Sequence, residues 1–252
     1  MDIQIQSRFT ALWQKYFPGA ELPLVFYYTD EAGRAEPAPL DGPHCFICAL
    51  APVRKGTPLR FDLESVRCGG GKRYLGFAQE LRPTFKYFLS CGIPGELEGE
   101  RYKKTPELVE AWLQENPPLE APTRYIVFKR WDTLTAEDEP AVVVFFATPD
   151  VLSGLFTLAN YDESNPYGVI APMGSGCSSI VYSPLQETRS AHPRAVLGMF
   201  DVSARPCVPA GTLTFSVPWA KFVPMVDNAE ESFLITPSWN KVAKRITRAN
   251  ER

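Results

Sequence analysis

A run of seven apolar residues, Ala141-Val142-Val143-Val144-Phe145-Phe146-Ala147, leads directly into Thr148-Pro149-Asp150. The run is β-branched and aromatic, and far shorter than the ~18 consecutive apolar residues that suggest a membrane-crossing helix. It therefore predicts a strand buried on both faces. Thr148-Pro149-Asp150 then reads as a helix start: a capping hydroxyl, a proline at the first helical position and an acid in the first turn. Residues 151–160 continue as a helix. A buried strand, a tight turn and a helix make one α/β unit, so the chain must build a sheet covered by helices. With 252 residues, 45% of them hydrophobic and 22% charged, it can bury a substantial core. The expected class is α/β, with a mixed α+β arrangement open. The expected organisation is one globular domain over residues 1–252, a mixed sheet flanked by helices, with residues 1–40 inside it or as an N-terminal appendage.

The remaining elements are read the same way. Ile5, Phe9, Leu12, Trp13, Tyr16 and Phe17 recur at helical spacing until Pro18-Gly19. Strands are predicted at residues 24–29, 125–130, 196–202 and 212–217, and an extended segment at 60–66. Residues 45–50 read as either a strand or the start of a helix. Helices are predicted after Pro83, from Thr105-Pro106-Glu107 to about Glu115, and from Thr236-Pro237 to the end.

A net charge of -3 argues against a dedicated nucleic-acid binder. The one basic cluster, Lys241, Lys244, Arg245, Arg248 and Arg252, reads as a solvated helix face. No secretion signal or membrane span is read, so the expectation is a cytoplasmic protein with no membrane partner. In a reducing compartment its six cysteines are not expected to form structural disulfides.

The segment that points to a site is Cys68-Gly69-Gly70-Gly71-Lys72-Arg73-Tyr74-Leu75-Gly76-Phe77. Three glycines in a row forgo side-chain packing, which a fold tolerates where backbone takes positive φ or something comes very close. A second such loop is Met173-Gly174-Ser175-Gly176-Cys177-Ser178-Ser179, whose small side chains would leave the Cys177 thiol accessible. Free N–H groups at a helix start there would lower its pKa. A third cysteine context is His44-Cys45-Phe46-Ile47-Cys48, whose CxxC spacing suits a metal or a redox pair. Cys91 and Cys207 read as ordinary packing residues. Lys72 and Arg73 behind the glycines could cradle an anion, or could simply be solvated cations on a tight turn. HExxH and GxSxG are absent, while a Cys177–His192 nucleophilic pair stays open.

The Cys68 to Phe77 segment, the later Gly95-Glu96-Leu97-Glu98-Gly99-Glu100-Arg101-Tyr102-Lys103-Lys104, and Gly174-Ser175-Gly176-Cys177 followed by Pro184 together resemble domain-of-unknown-function family 169, the ArCR family. The resemblance runs over roughly residues 40–246. It implies a cytoplasmic prokaryotic α/β protein, and cysteines matching Cys45, Cys68 and Cys177 but not Cys48, Cys91 or Cys207. It implies no activity.

These residues support three functional expectations. In the first, Cys45, Cys68 and Cys177 meet at one glycine-lined pocket and hold an iron–sulfur cluster or another thiophilic metal, with Cys48 or an exogenous ligand as a fourth donor. In the second, Gly69, Gly70, Gly71, Lys72 and Arg73 join Gly174, Ser175 and Gly176 to bind a small anion such as a nucleotide, a flavin or an organic acid. In the third, Cys177 is the nucleophile of a thiol-dependent enzyme.

Overall fold

The computed structural model describes residues 1–250. In chain order they form α1 (Ile3–Tyr16), β1 (Leu24–Thr29), β2 (Glu36–Pro37), α2 (Phe46–Ala49), α3 (Ala51–Arg54), β3 (Leu59–Phe61), α4 (Gly69–Tyr74), α5 (Phe85–Phe88), α6 (Pro106–Glu115), β4 (Tyr125–Arg130), β5 (Val142–Ala147), α7 (Pro149–Ala159), β6 (Val169–Ile170), α8 (Ser183–Glu187), β7 (Ala195–Gly198), β8 (Leu213–Pro218), α9 (Trp219–Asn228) and α10 (Pro237–Asn250). The strands form one mixed eight-stranded sheet in the order β2-β3-β4-β1-β5-β8-β7-β6. Only β2 with β3 and β6 with β7 run parallel. The α/β class is as expected, although the central pairs are antiparallel.

Helices and loops cover both faces, which is why β5 is buried and apolar at every position rather than alternating. Val25, Val143, Phe145, Phe215 and Val217 face a first core closed by α1, α7, α9 and α10. Phe9, Leu12, Trp13 and Tyr16 of α1 lie on its buried stripe. Leu24, Phe26, Val142, Val144 and Phe146 face a second core with Phe46, Ile47, Leu75, Cys177 and Ile180. The first 40 residues are woven into this arrangement: β1 pairs with both β4 and β5.

Several boundaries differ from the sequence reading. Within residues 45–50, Phe46–Ala49 form a helical turn. The extended segment stops at Phe61 because the Asp62 carboxylate accepts from the Glu64 and Ser65 N–H groups and turns the chain. The strand expected over 196–202 ends at Gly198, since Met199 takes φ 69 and the chain swings out to exposed Phe200. Pro218, and Pro224 within the helix, conceal α9 in the sequence, yet its Phe222, Met225 and Val226 are buried. In α10, Arg245 pairs with Asp150 at 3.0 Å. Arg252 of the basic cluster lies outside the described residues. No helix among the described residues is long and apolar enough to cross a membrane.

Candidate functional site

The site lies at one end of the second core, where four chain segments bring five cysteines together. Cys45 is the N-cap of α2, with extended backbone, and Cys48 follows one turn later. Cys48 is bonded to Cys207, 159 residues away, with an S–S distance of 2.06 Å. The sulfurs of Cys45, Cys48 and Cys207 all lie within 4.8 Å of one another. These cysteines are half-buried. Cys207 ends a short turn, Arg205–Cys207, in the connection from β7 to β8.

Cys68 is the N-cap of α4, and its sulfur accepts from the Gly71 N–H at 3.2 Å. The Cys177 thiol and the Phe46 N–H also lie close enough to act on it. Cys177 opens a π-helical turn, Ser178–Tyr182, and is buried, 5% exposed. The hydrogen bond from Cys177 is the largest influence on Cys68 and brings its thiol down from 9.0 to about 5. Burial opposes this; the Phe46 and Gly71 N–H groups and the His44 charge assist it. Cys177 moves the opposite way, well above the usual thiol range. Its proton is held by the bond to Cys68, then by burial, then by the charges of Cys68, Cys45 and Asp201. The pair thus favours the thiolate at Cys68 and the protonated thiol at Cys177.

The glycines have a different purpose from the one the sequence suggested. None of Gly69, Gly70 and Gly71 has positive φ; they form the first turn of α4, and within the Cys68 to Phe77 segment only Gly76 (φ 83) is left-handed. A β-carbon on Gly71 would stand 2.8 Å from both Cys68 Sγ and Val66 Cγ1. One on Gly176 would stand 3.0 Å from Ile47 Cγ1 and from Ala204 Cβ. These two glycines are packed against neighbours rather than lining an open pocket. Gly69 and Gly70 have nothing within 4 Å of that position. At Gly198 a β-carbon would lie 2.1 Å from Ser179 Cβ, so β7 and the turn carrying Cys177 are in near backbone contact.

The other expected residues divide clearly. Cys68 and Cys177 are brought together, with Cys45 near enough to act on Cys177. Arg73 is not available to an anion: it is 6% exposed and donates to the Gln79 and Asn116 carbonyls, each at 3.2 Å. Lys72 is half-buried beside it on α4. Gly174 and Ser175 shape the approach to Cys177, the Ser175 carbonyl accepting from the Ser178 N–H at 3.0 Å. The expected accessible, acidified Cys177 is thus corrected on both counts, because burial and a neighbouring thiolate outweigh any helix-start effect. His192 is exposed in the turn before β7. The expectation of no disulfide is corrected by Cys48–Cys207, and Cys207 is no packing residue. Cys91, read as a packing residue, is instead exposed.

Sequence reasoning missed Asp201, whose carboxylate accepts from the Gly176 N–H at 3.0 Å. It also missed Met199, whose sulfur lies 3.2 Å from the β-carbon position of Gly176. Neither carries a motif that could have announced it. A groove of about 400 Å³ lies elsewhere, at the β2–β3 edge, lined by Ala32, Gly33, Arg34, Thr57 and Arg60. There the Arg60 guanidinium is engaged with the Ala32 and Ala35 carbonyls, each at 2.7 Å.

Fold and site together define a mixed α/β protein whose second core closes on a gathering of sulfurs from distant segments. The chain belongs to domain-of-unknown-function family 169, described as uncharacterised ArCR, which matches residues 20–228. The match begins earlier and ends sooner than the resemblance suggested, and it includes every cysteine of the site. No curated protein and no solved structure matches the chain.

Proposed function

We propose that this protein is a thiolate metal-binding protein whose primary site uses Cys45, Cys68 and Cys177, with an iron–sulfur cluster as its occupant. The observation that carries this reading is the Cys68–Cys177 pair: a thiolate held against a second thiol, with Cys45 nearby, all from separate segments. Two sulfurs sharing a proton inside a core are a natural place for a cation that replaces it, since metal ligation needs thiolates and releases protons. A compact nonpolar shell around the sulfurs, as Phe46, Ile47 and Met199 supply here, is the setting that tunes such centres. The anionic-ligand reading loses support with Arg73 turned to backbone carbonyls. The thiol-enzyme reading loses it with Cys177 buried and protonated. A reducing cytoplasm fits a metal-thiolate role, because there the Cys48–Cys207 bond would be open.

Anaerobic purification and reconstitution with iron and sulfide tests this. The expected result is bound iron and sulfide with visible charge-transfer absorption, abolished in Cys68→Ser and Cys177→Ser. A colourless, iron-free wild-type protein after reconstitution overturns the cluster assignment.

A further inference from the structure

We infer that Cys45, Cys48 and Cys207 form a second soft-metal site, for a zinc-class divalent ion, kept closed by the Cys48–Cys207 disulfide and opened by a dithiol reductant. The three sulfurs come from α2 and from a turn more than 150 residues away, yet all lie within 4.8 Å of one another. Two thiolates on a tetrahedral zinc ion with Zn–S of about 2.3 Å stand roughly 3.8 Å apart, so this spacing needs only small side-chain adjustments. All three residues are half-buried, which leaves a route for a dithiol and an ion. Three protein donors with water as the fourth is an established zinc arrangement.

Opening the disulfide leaves the thiols in place, because other contacts anchor both segments. The Arg205 guanidinium donates to the Thr212 and Ala210 carbonyls, and Asp201 holds the Gly176 N–H at 3.0 Å. Ala204 is packed beneath Gly176, and Phe46 and Ile47 of α2 are buried. The chemistry balances. The dithiol gives two electrons and two protons to the Cys48–Cys207 bond and becomes a cyclic disulfide. The protein gains two thiols, and the three thiols lose their protons to solvent as the ion binds. While the disulfide stands, Cys45 is the one free donor of the three, and one donor does not hold the ion.

This site shares Cys45 with the proposed cluster site but does not use Cys68 or Cys177, so the two readings can fail separately. The test is cysteine alkylation of the wild-type protein, read peptide by peptide by mass spectrometry, with Zn²⁺ as the probe. Without reductant, Cys48 and Cys207 should stay unlabelled whether or not Zn²⁺ is present. After dithiol treatment and its removal, both should become labelled, and added Zn²⁺ should abolish labelling of Cys45, Cys48 and Cys207 together. Failure of the dithiol to expose Cys48 and Cys207 overturns the inference. So does Zn²⁺ protection of Cys45, Cys68 and Cys177 that leaves Cys48 and Cys207 labelled, or no protection at all. A Cys68→Ser/Cys177→Ser variant, in which the cluster site is gone, should still bind Co²⁺ with thiolate charge-transfer absorption after reduction, and should bind none before it. Equal binding in both redox states contradicts the gate.

Discussion

At Cys68 the fold stabilises a negative sulfur, and at Cys177 it stabilises a protonated one, each because of the other. The Cys177 hydrogen bond draws Cys68 from 9.0 to about 5. The lowered group contributes stability that is complete above pH 9.0 and is lost as pH falls through about 5. The raised group behaves oppositely: the Cys177 contribution is complete below 9.0 and is lost as pH rises well beyond it. In reduced, metal-free protein, Cys68 alkylation should therefore stay near its plateau from about pH 8 down to about pH 6. In Cys177→Ala, which removes the donor, the fall-off should move to higher pH. A wild-type profile that climbs steeply above pH 8 contradicts the pair. Glycine flanks make Cys68 and Cys177 legible as candidate site residues in the sequence. They cannot show which sulfur keeps the proton, because that depends on burial and on groups as distant in sequence as Phe46 and Asp201.

At the scale of elements, α4 is the instructive case. Its sequence, three glycines then Lys72-Arg73-Tyr74, is a poor helix by propensity. It is helical because the Cys68 sulfur caps its Gly71 N–H, and because Tyr74 and Leu75 are buried beyond it. Gly71→Ala should displace Cys68 or Val66 and destabilise the protein by about 1–3 kcal/mol. Gly69→Ala and Gly70→Ala, whose β-carbons meet no protein atom, should be neutral or stabilising by up to about 1 kcal/mol. Urea denaturation of the three variants separates these outcomes; equal losses at all three positions would refute this account of the turn. Elements with strong periodicity or caps, such as α1, α6 and β5, are readable from sequence. α4 and α9 are not, since glycine and proline locally oppose the helix and only tertiary burial overrides them.

Across the whole molecule, the Cys48–Cys207 bond links α2, near the start of the second core, to the connection before β8. A closure spanning 159 residues strongly restricts the unfolded chain. Opening it should lower the unfolding free energy by about 2–4 kcal/mol. Chemical denaturation with and without dithiol measures this, and Cys207→Ser should match the reduced wild type. No difference between oxidised and reduced protein would mean that the bond does not form in solution.

Local sequence dictates the class of fold, most of the regular elements and the glycine-flanked cysteines. Apolar runs, caps and glycine-flanked cysteines are local features, each set by a few neighbouring residues. The pairing of Cys48 with Cys207, the inward turn of Arg73 and the sealing of Cys177 in the core arise only when distant segments pack together. Those outcomes depend on long-range packing across a sheet whose neighbouring strands are often far apart in sequence. No local pattern encodes that distance.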